Sequence, residues 1–245
     1  MKKILIFTVA LILLAGAAVN AGAQDVKDIL NKMIDAQGGR KALEAVADVT
    51  ISGSLDLIQM GMSGNITLYQ KYPDKIRIDM EVMGIMITEV YDGEKAWWTN
   101  PQSGGAVEEL PDLMAENMKR QAFGARAVLD PEKYGISFAA KGKEKINDKE
   151  YLVLEQSFKD GYKTTIYVDP ASYLIYKTRA KSLDATGSGA EVDTESVSED
   201  YKNEGGLIMA HKISTFQNGA AAMTMAFVKI SANSKLEDAL FKISK

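Results

Sequence analysis

Cysteine is absent from all 245 residues. The fold therefore rests on core packing without disulfides, and the chain has no cysteine through which a lipid anchor could be attached. Histidine occurs once, at His211. One imidazole and no thiol do not make a zinc site. A Ser–His–acid arrangement is compatible with the composition, but no G-x-S-x-G elbow is present. A half-buried strand histidine is the expectation, and a hydrolase using His211 is kept as an alternative. Acidic residues are not spaced as Ca²⁺ loops, and Asp184, Glu191, Asp193 and Glu195 read as a solvated face. Gly187 to Gly189 follow no strand–helix context, so they do not read as a phosphate cradle. No metal and no cofactor are expected. Excess positive charge is also lacking: the formal net charge is −4 with basic residues dispersed, which argues against nucleic acid as a partner and against adhesion to anionic membrane by charge alone.

Long apolar runs are missing except at the start. Lys2 and Lys3 precede an apolar stretch from Ile4 to Ala18, and Ala21-Gly22-Ala23 forms an A-x-A site. This is the pattern of a cleaved export signal, too short for a comfortable span. Residues 1–23 are expected to be removed and residues 24–245 to form a single monomeric domain in the bacterial periplasm. That length suffices for one sizeable core.

What the chain does contain is a change of period. Val26, Ile29, Leu30, Met33 and Ile34 recur at helical spacing, and Gly38-Gly39 closes that helix. Arg40 to Val46 forms a second short helical piece. Thereafter the period is two. Strands are expected over Val49–Leu57, Gly61–Lys71, Lys75–Val82, Ile85–Tyr91 and Lys95–Thr99, joined by turns at Pro73-Asp74, Met83-Gly84 and Asp92-Gly93. A helix over Pro111–Leu129 interrupts them. A second meander follows over Ile136–Lys141, Glu150–Phe158, Lys163–Val168, Tyr173–Ser182, Thr194–Tyr201, Gly206–Gln217 and Ala220–Ser231. Asp184 to Asp193 is expected as an exposed hairpin tip, Asn218-Gly219 as a two-residue turn and Leu236–Ile243 as a short amphipathic tail. The fold class is α+β. It is expected to be an unclosed antiparallel half-barrel of about ten or eleven strands, with the few helices covering the concave face.

Methionine and tryptophan carry the functional signal. Twelve methionines are present, and their flexible, polarisable side chains suit either core filling or an adaptable apolar ligand wall. Ile76, Ile78, Met80 and Val82 alternate with Arg77, Asp79 and Glu81, so one strand face is apolar and the other charged. That face, with Met86, is taken as one wall of a candidate cavity. Met114 and Met118 on the central helix, and Met223, Met225 and Phe227 at period two on the last strand, complete it. Trp97 and Trp98 point to opposite faces. One is expected in the core and one at a cavity rim; Trp97 is taken as the rim residue.

The segment Asp92, Gly93, Trp97, Asn100 and Pro101 resembles a turn found in bacterial periplasmic carriers of the lipoprotein-sorting (LolA/LolB-like) family. The lead-in from Thr67 to Asp79 also resembles that family's strand, proline turn and strand. The resemblance implies a half-barrel with helices as a lid. It implies an acyl chain or lipidated segment as ligand on the concave face, with membrane-bound donor and acceptor proteins as partners. Where the family has Arg directly before that proline, helping to hold the lid closed, this chain has Tyr72. A periplasmic adaptor that binds a protein partner on the half-barrel face is the second reading.

Overall fold

A computed structural model of the chain describes residues 25–184 and 190–242. The export signal and Gly187 to Gly189 lie outside the described residues. Helix α1 (Val26–Ala36) begins where the Asp25 carboxylate accepts a hydrogen bond from Lys27 N, a side-chain cap. It ends at Gly38, whose φ is +120° and whose missing Cβ would lie 2.2 Å from Gly206 O. Ile208 N donates to Gln37 O at the same place. The helix end is thereby seated on a late hairpin, and any side chain at position 38 would push it off. Helix α2 (Arg40–Glu44) follows.

The strands are β1 (Asp48–Leu57), β2 (Met62–Lys71), β3 (Lys75–Val82), β4 (Ile85–Tyr91), β5 (Ala96–Asn100) and β6 (Ala106–Glu109). Then come α3 (Asp112–Ala122) and α4 (Arg126–Leu129). The second meander is β7 (Ile136–Ile146), β8 (Lys149–Phe158), β9 (Lys163–Val168), β10 (Ile175–Leu183), β11 (Glu191–Glu204), β12 (Leu207–Gln217) and β13 (Ala220–Ala232). All pair antiparallel in one thirteen-stranded sheet, in the order β6-β5-β4-β3-β2-β1-β13-β12-β11-β10-β9-β8-β7. The β1–β13 pairing joins the two meanders. β6 and β7 do not pair with each other, so the sheet is an unclosed half-barrel.

The strand count exceeds the expected ten or eleven. β6 is the strand the sequence hides: four residues after a Gly-rich loop, too short to display a period. β7 extends past Lys141 to Ile146 through a bulge between Ala140 and Gly142. Its outer half carries Lys141, Lys143 and Lys145, a device that blunts a sheet edge. β11 starts at Glu191, inside the stretch expected as a hairpin tip. The helix expected over Pro111–Leu129 is two helices. Gly124, at φ +46°, breaks it.

All the packed helices lie on one sheet face. Ile29 and Met33 of α1 bury against Leu152, Leu154, Ile166 and Val168 of β8 and β9. Ile34, Leu43 and Leu129 meet Val49, Leu207 and Ile230 at the centre. Met118 and Ala122 of α3 meet Leu55, Ile66, Ile76, Ile78, Val82 and Phe227. Each such side chain contributes about 1.5–3 kcal/mol of burial. The opposite face is left to Tyr151, Val153 and Tyr167, with Tyr151 and Tyr176 stacked at 4.4 Å.

The chain after β13 returns to β1. Buried Asp48 accepts from Ser234 N, Lys235 N and Leu236 N at 2.6, 3.0 and 3.2 Å. Beyond it, a 3-10 turn at Asp238–Phe241 buries Phe241 completely, and Leu240 O accepts from Arg77 of β3. The Lys75 and Lys71 ammonium groups beside Asp238 hold its carboxyl down to about 2. A carboxyl lowered on folding contributes stability above its unfolded pKa, and that contribution is lost as pH falls through the folded value. Pepsin cleavage at Leu240–Phe241 should therefore rise as pH falls from about 4 to about 2. In Asp238→Asn the site should be open at the upper end of that range, with no further pH step.

A candidate ligand cavity under the central helix

Helix α3 is the lid-like element. Asp112 in its first turn and Lys119 and Arg120 in its last complement the helix dipole. Met114, Met118 and Ala122 face the sheet, whereas Leu113 is 45% exposed at the outer edge. Beneath α3 lies a cavity of about 290 Å³. Its walls come from β4 (Glu89), from β10 to β13 (Leu183, Thr194, Thr215, Ala222, Met223) and from the β8–β9 turn (Tyr162). β4 and β10 are separated by six strands in the sheet. Their meeting around one cavity is the geometric consequence of the curl.

On the helix side the cavity is lined by Leu113, Met114 and Met118 together with Asn117 and Arg120, and its floor is mixed. There Gln217 Nε2 donates to Leu183 O at 2.9 Å, and the hydroxyls of Ser196 and Thr215 lie 3.1 Å apart. Four charged groups line it: Glu89, Arg120, Lys181 and Glu191. Arg120 is paired with Asp160 and stacks over the Tyr162 ring at 4.0 Å, with its side chain 9% exposed. Its Nε is buried without a hydrogen-bond partner. Glu89 stands opposite Ile78 on β3 and Trp98 on β5. Desolvation raises its carboxyl above the ordinary carboxylate value.

The C-terminal end of α3 is held to the β2–β3 corner. Gln70 Nε2 donates to Gln121 O at 3.2 Å and to Ala122 O at 2.8 Å. The Tyr72 hydroxyl accepts from Ala125 N at 3.4 Å, and the Arg126 guanidinium lies 5.0 Å from the Tyr72 ring centre. Gly124 permits this closeness: a Cβ there would stand 2.4 Å from Gln70 Nε2. Burial raises the Tyr72 hydroxyl pKa, so it stays neutral. The clasp is thus made of neutral hydrogen bonds and one cation–ring contact.

The residues singled out from sequence separate into groups. Ile76, Ile78 and Val82 are buried against α3, with Met80 packed alongside. Met114, Met118 and Met223 line the cavity, while Met225 and Phe227 extend its packed floor. Met86 stands apart. It lies opposite Glu81 on the charged face and is 55% exposed at the β3–β4 hairpin. Trp97 pairs with Val90, on the face away from α3; Trp98 is the indole that packs with the core beneath α3. Alternation separates the two rings but cannot say which face is covered. Glu89, Arg120, Tyr162 and Gln217 were not singled out. Glu89 shares parity with Ile85, Ile87 and Tyr91, but Met86, Thr88 and Val90 make the other parity equally plausible.

His211 is 5% exposed on β12. Its Nδ1 lies 2.9 Å from Phe227 O. Its Nε2 is 3.0 Å from Glu204 Oε1 but outside hydrogen-bond geometry. It is not among the residues lining the cavity. A second, more open groove of about 730 Å³ runs between α1, α4 and β7, past Leu30, Val128 and Phe138. Among the described residues no set of three or more histidine or acidic side chains is placed to hold a metal.

Solved structures share this architecture. A LolA superfamily protein from Nitrosomonas europaea superimposes with a TM-score of 0.61 at 15% identity, over 89% of this chain and 97% of that one. An outer membrane lipoprotein-sorting protein domain from Vibrio parahaemolyticus gives 0.58 at 16% identity, over 90% and 97%. The chain has a LolA-like fold. A DUF1329 family protein from Desulfovibrio piger also gives 0.58, at 12% identity over 89% and 97%. No family model and no curated protein matches the sequence.

Within the LolA-like frame, the short turn has a structural role in this chain. Asp92 Oδ1 accepts from Glu94 N and Lys95 N, tightening the β4–β5 turn. Asn100 caps the following 3-10 turn through Gln102 N and donates to Glu108. Replacing both Gln70 and Tyr72 by Ala should weaken the clasp by at least about 1.4 kcal/mol, since each lost hydrogen bond contributes about 0.5–1.5 kcal/mol. Backbone amide exchange across residues 112–129 should speed up about tenfold. Exchange in β8 and β9 should stay unchanged.

Proposed function

We propose that this protein is a non-enzymatic carrier of lipid, or of the acyl chains of lipidated proteins, in the bacterial periplasm. The single observation behind this reading is the Met-walled cavity on an unclosed sheet, covered by one short helix. The LolA-like fold and the export-signal pattern of residues 1–23 agree with it. His211 lies away from the cavity, which gives the hydrolase alternative no support.

The volume argues for a moving lid. Ligand sites run from about 300 to 1,000 Å³, so 290 Å³ is a closed or partly closed state. Swinging α3 outward would expose the walls offered by Ile78, Met80 and Met225 to a longer chain. Ten buried methylenes would supply about 8 kcal/mol gross. The loss of translational and rotational freedom offsets several kcal/mol of this. The remainder is reversible binding, as a carrier that must release its load requires.

Delivery needs a docking surface. Two neighbouring hairpin tips on the same end of the sheet expose Ile58 and Met60, and Met83, Ile85 and Met86, at 46–75%. Membrane-bound donor and acceptor proteins would approach there. An adaptor that binds only protein would need no cavity under α3.

The test is native mass spectrometry of the mature protein from a bacterial periplasm, with organic extraction. The expected result is a co-purifying phospholipid or acylated peptide on a monomeric protein. Met223→Glu puts a charge on the half-buried cavity wall. It should lower lipid affinity at least tenfold while leaving the thermal unfolding temperature within a few degrees. An apo mass with no lipid uptake at micromolar concentrations would overturn the reading.

A further inference from the structure

Glu89 is out of place by the logic of its own sheet. Its cross-strand neighbours are Ile78 and Trp98, and Met114 lines the same cavity from above. An aliphatic side chain at that position would add to the core. A carboxyl instead carries a desolvation penalty that only a hydrogen-bonded or charged partner offsets. Among the described residues Glu89 has no hydrogen bond and no ion pair. Desolvation alone accounts for its raised pKa, so no neighbouring cation acts on it appreciably. The other charged groups around the cavity are engaged elsewhere. Arg120 binds Asp160, and Lys181 binds Asp193 at 3.0 Å and is 59% exposed. Glu191 is exposed at the rim. The cavity thus holds, between methionine walls, an acid with no protein partner.

We propose that Glu89 selects an amphipathic ligand with an ammonium group beside its acyl chain. This rests on the carrier reading and narrows it from apolar chains in general to amine-bearing lipids. The pairing is favourable because the half-buried Glu89 carboxylate, which desolvation disfavours, gains a charged partner in reach. A fatty acid would bring a second carboxylate to an uncompensated one. A protein–protein adaptor would have no use for an unpaired acid under α3.

Three probes of equal chain length separate the claims: dodecylamine, dodecanol and dodecanoic acid, titrated calorimetrically at pH 7 below their aggregation concentrations. The wild-type protein should bind dodecylamine at least tenfold more tightly than dodecanol, and dodecanoate most weakly. In Glu89→Gln, which keeps the shape and removes the charge, that preference should collapse to within about twofold while dodecanol affinity holds. Glu89→Leu should raise the unfolding temperature, because it removes an uncompensated polar group. If the three probes bind equally in both proteins, the carrier reading stands and the role of Glu89 falls. If none binds, the carrier reading itself falls. A lower unfolding temperature for Glu89→Leu would make Glu89 a structural residue and overturn the proposal.

Discussion

A sheet of thirteen strands with one apolar face has to be covered, and this chain has few helical residues with which to do it. Closing the sheet into a barrel would remove the problem, but β6 and β7 remain apart. Curling brings the two halves of the apolar face toward each other, and α1, α2, α3 and α4 lie in the trough that results. Where helix and sheet mesh fully, at Met33 or Ala122, there is a core. Where α3 spans from β4 to the β10–β13 side, it cannot touch both walls along its whole length. The gap is the cavity. Its existence follows from a mismatch between sheet width and helix cover rather than from any one residue.

α1 and α3 are held to the sheet in different ways. α1 is anchored by a close backbone fit at Gly38 and by buried contacts with β8 and β9. α3 has its own buried face, but its C-terminal end rests on Gln70, Tyr72 and the tightness allowed by Gly124. A fixed ion pair in that corner would have been strengthened by burial. The corner uses neutral bonds of about 1 kcal/mol each instead, while the same last turn of α3 is tied to the β8–β9 turn by the Arg120–Asp160 ion pair. Tyr72 thus stands where the family resemblance implied an arginine, and it holds the lid by a different chemistry. The cation is on the lid side, in Arg126, and the ring is on the sheet.

Much of this was legible in the order of residues. The half-barrel class, the position of most strands and turns, the charged face of Arg77, Asp79 and Glu81, and the packing face of Ile76, Ile78 and Val82 all follow from period-two alternation and from Gly, Asn and Asp at turns. These are local rules, set by the backbone within a few residues. The helix through Gly38 and the turn at Asp92-Gly93 are of the same kind. β6 was not legible, because four residues carry no period. The break at Gly124 was not legible either, because helix formers surround it and the reason for the glycine is a side chain from β2.

The sequence by itself determined which residues share a strand face, since alternation is a property of the extended chain. It could not determine which face becomes the inside, and so Trp97 and Trp98, or Met86 and Glu89, were interchangeable on the page. Tertiary structure decided that through register. Ile78, Glu89 and Trp98 align across three strands, and α3 lands on their side. It also decided that Glu89 on β4 and Arg120 on α3, 31 positions apart in sequence, line one cavity. The physical reason is that curl and helix docking are set by the summed packing of distant strands, which no window of neighbouring residues contains.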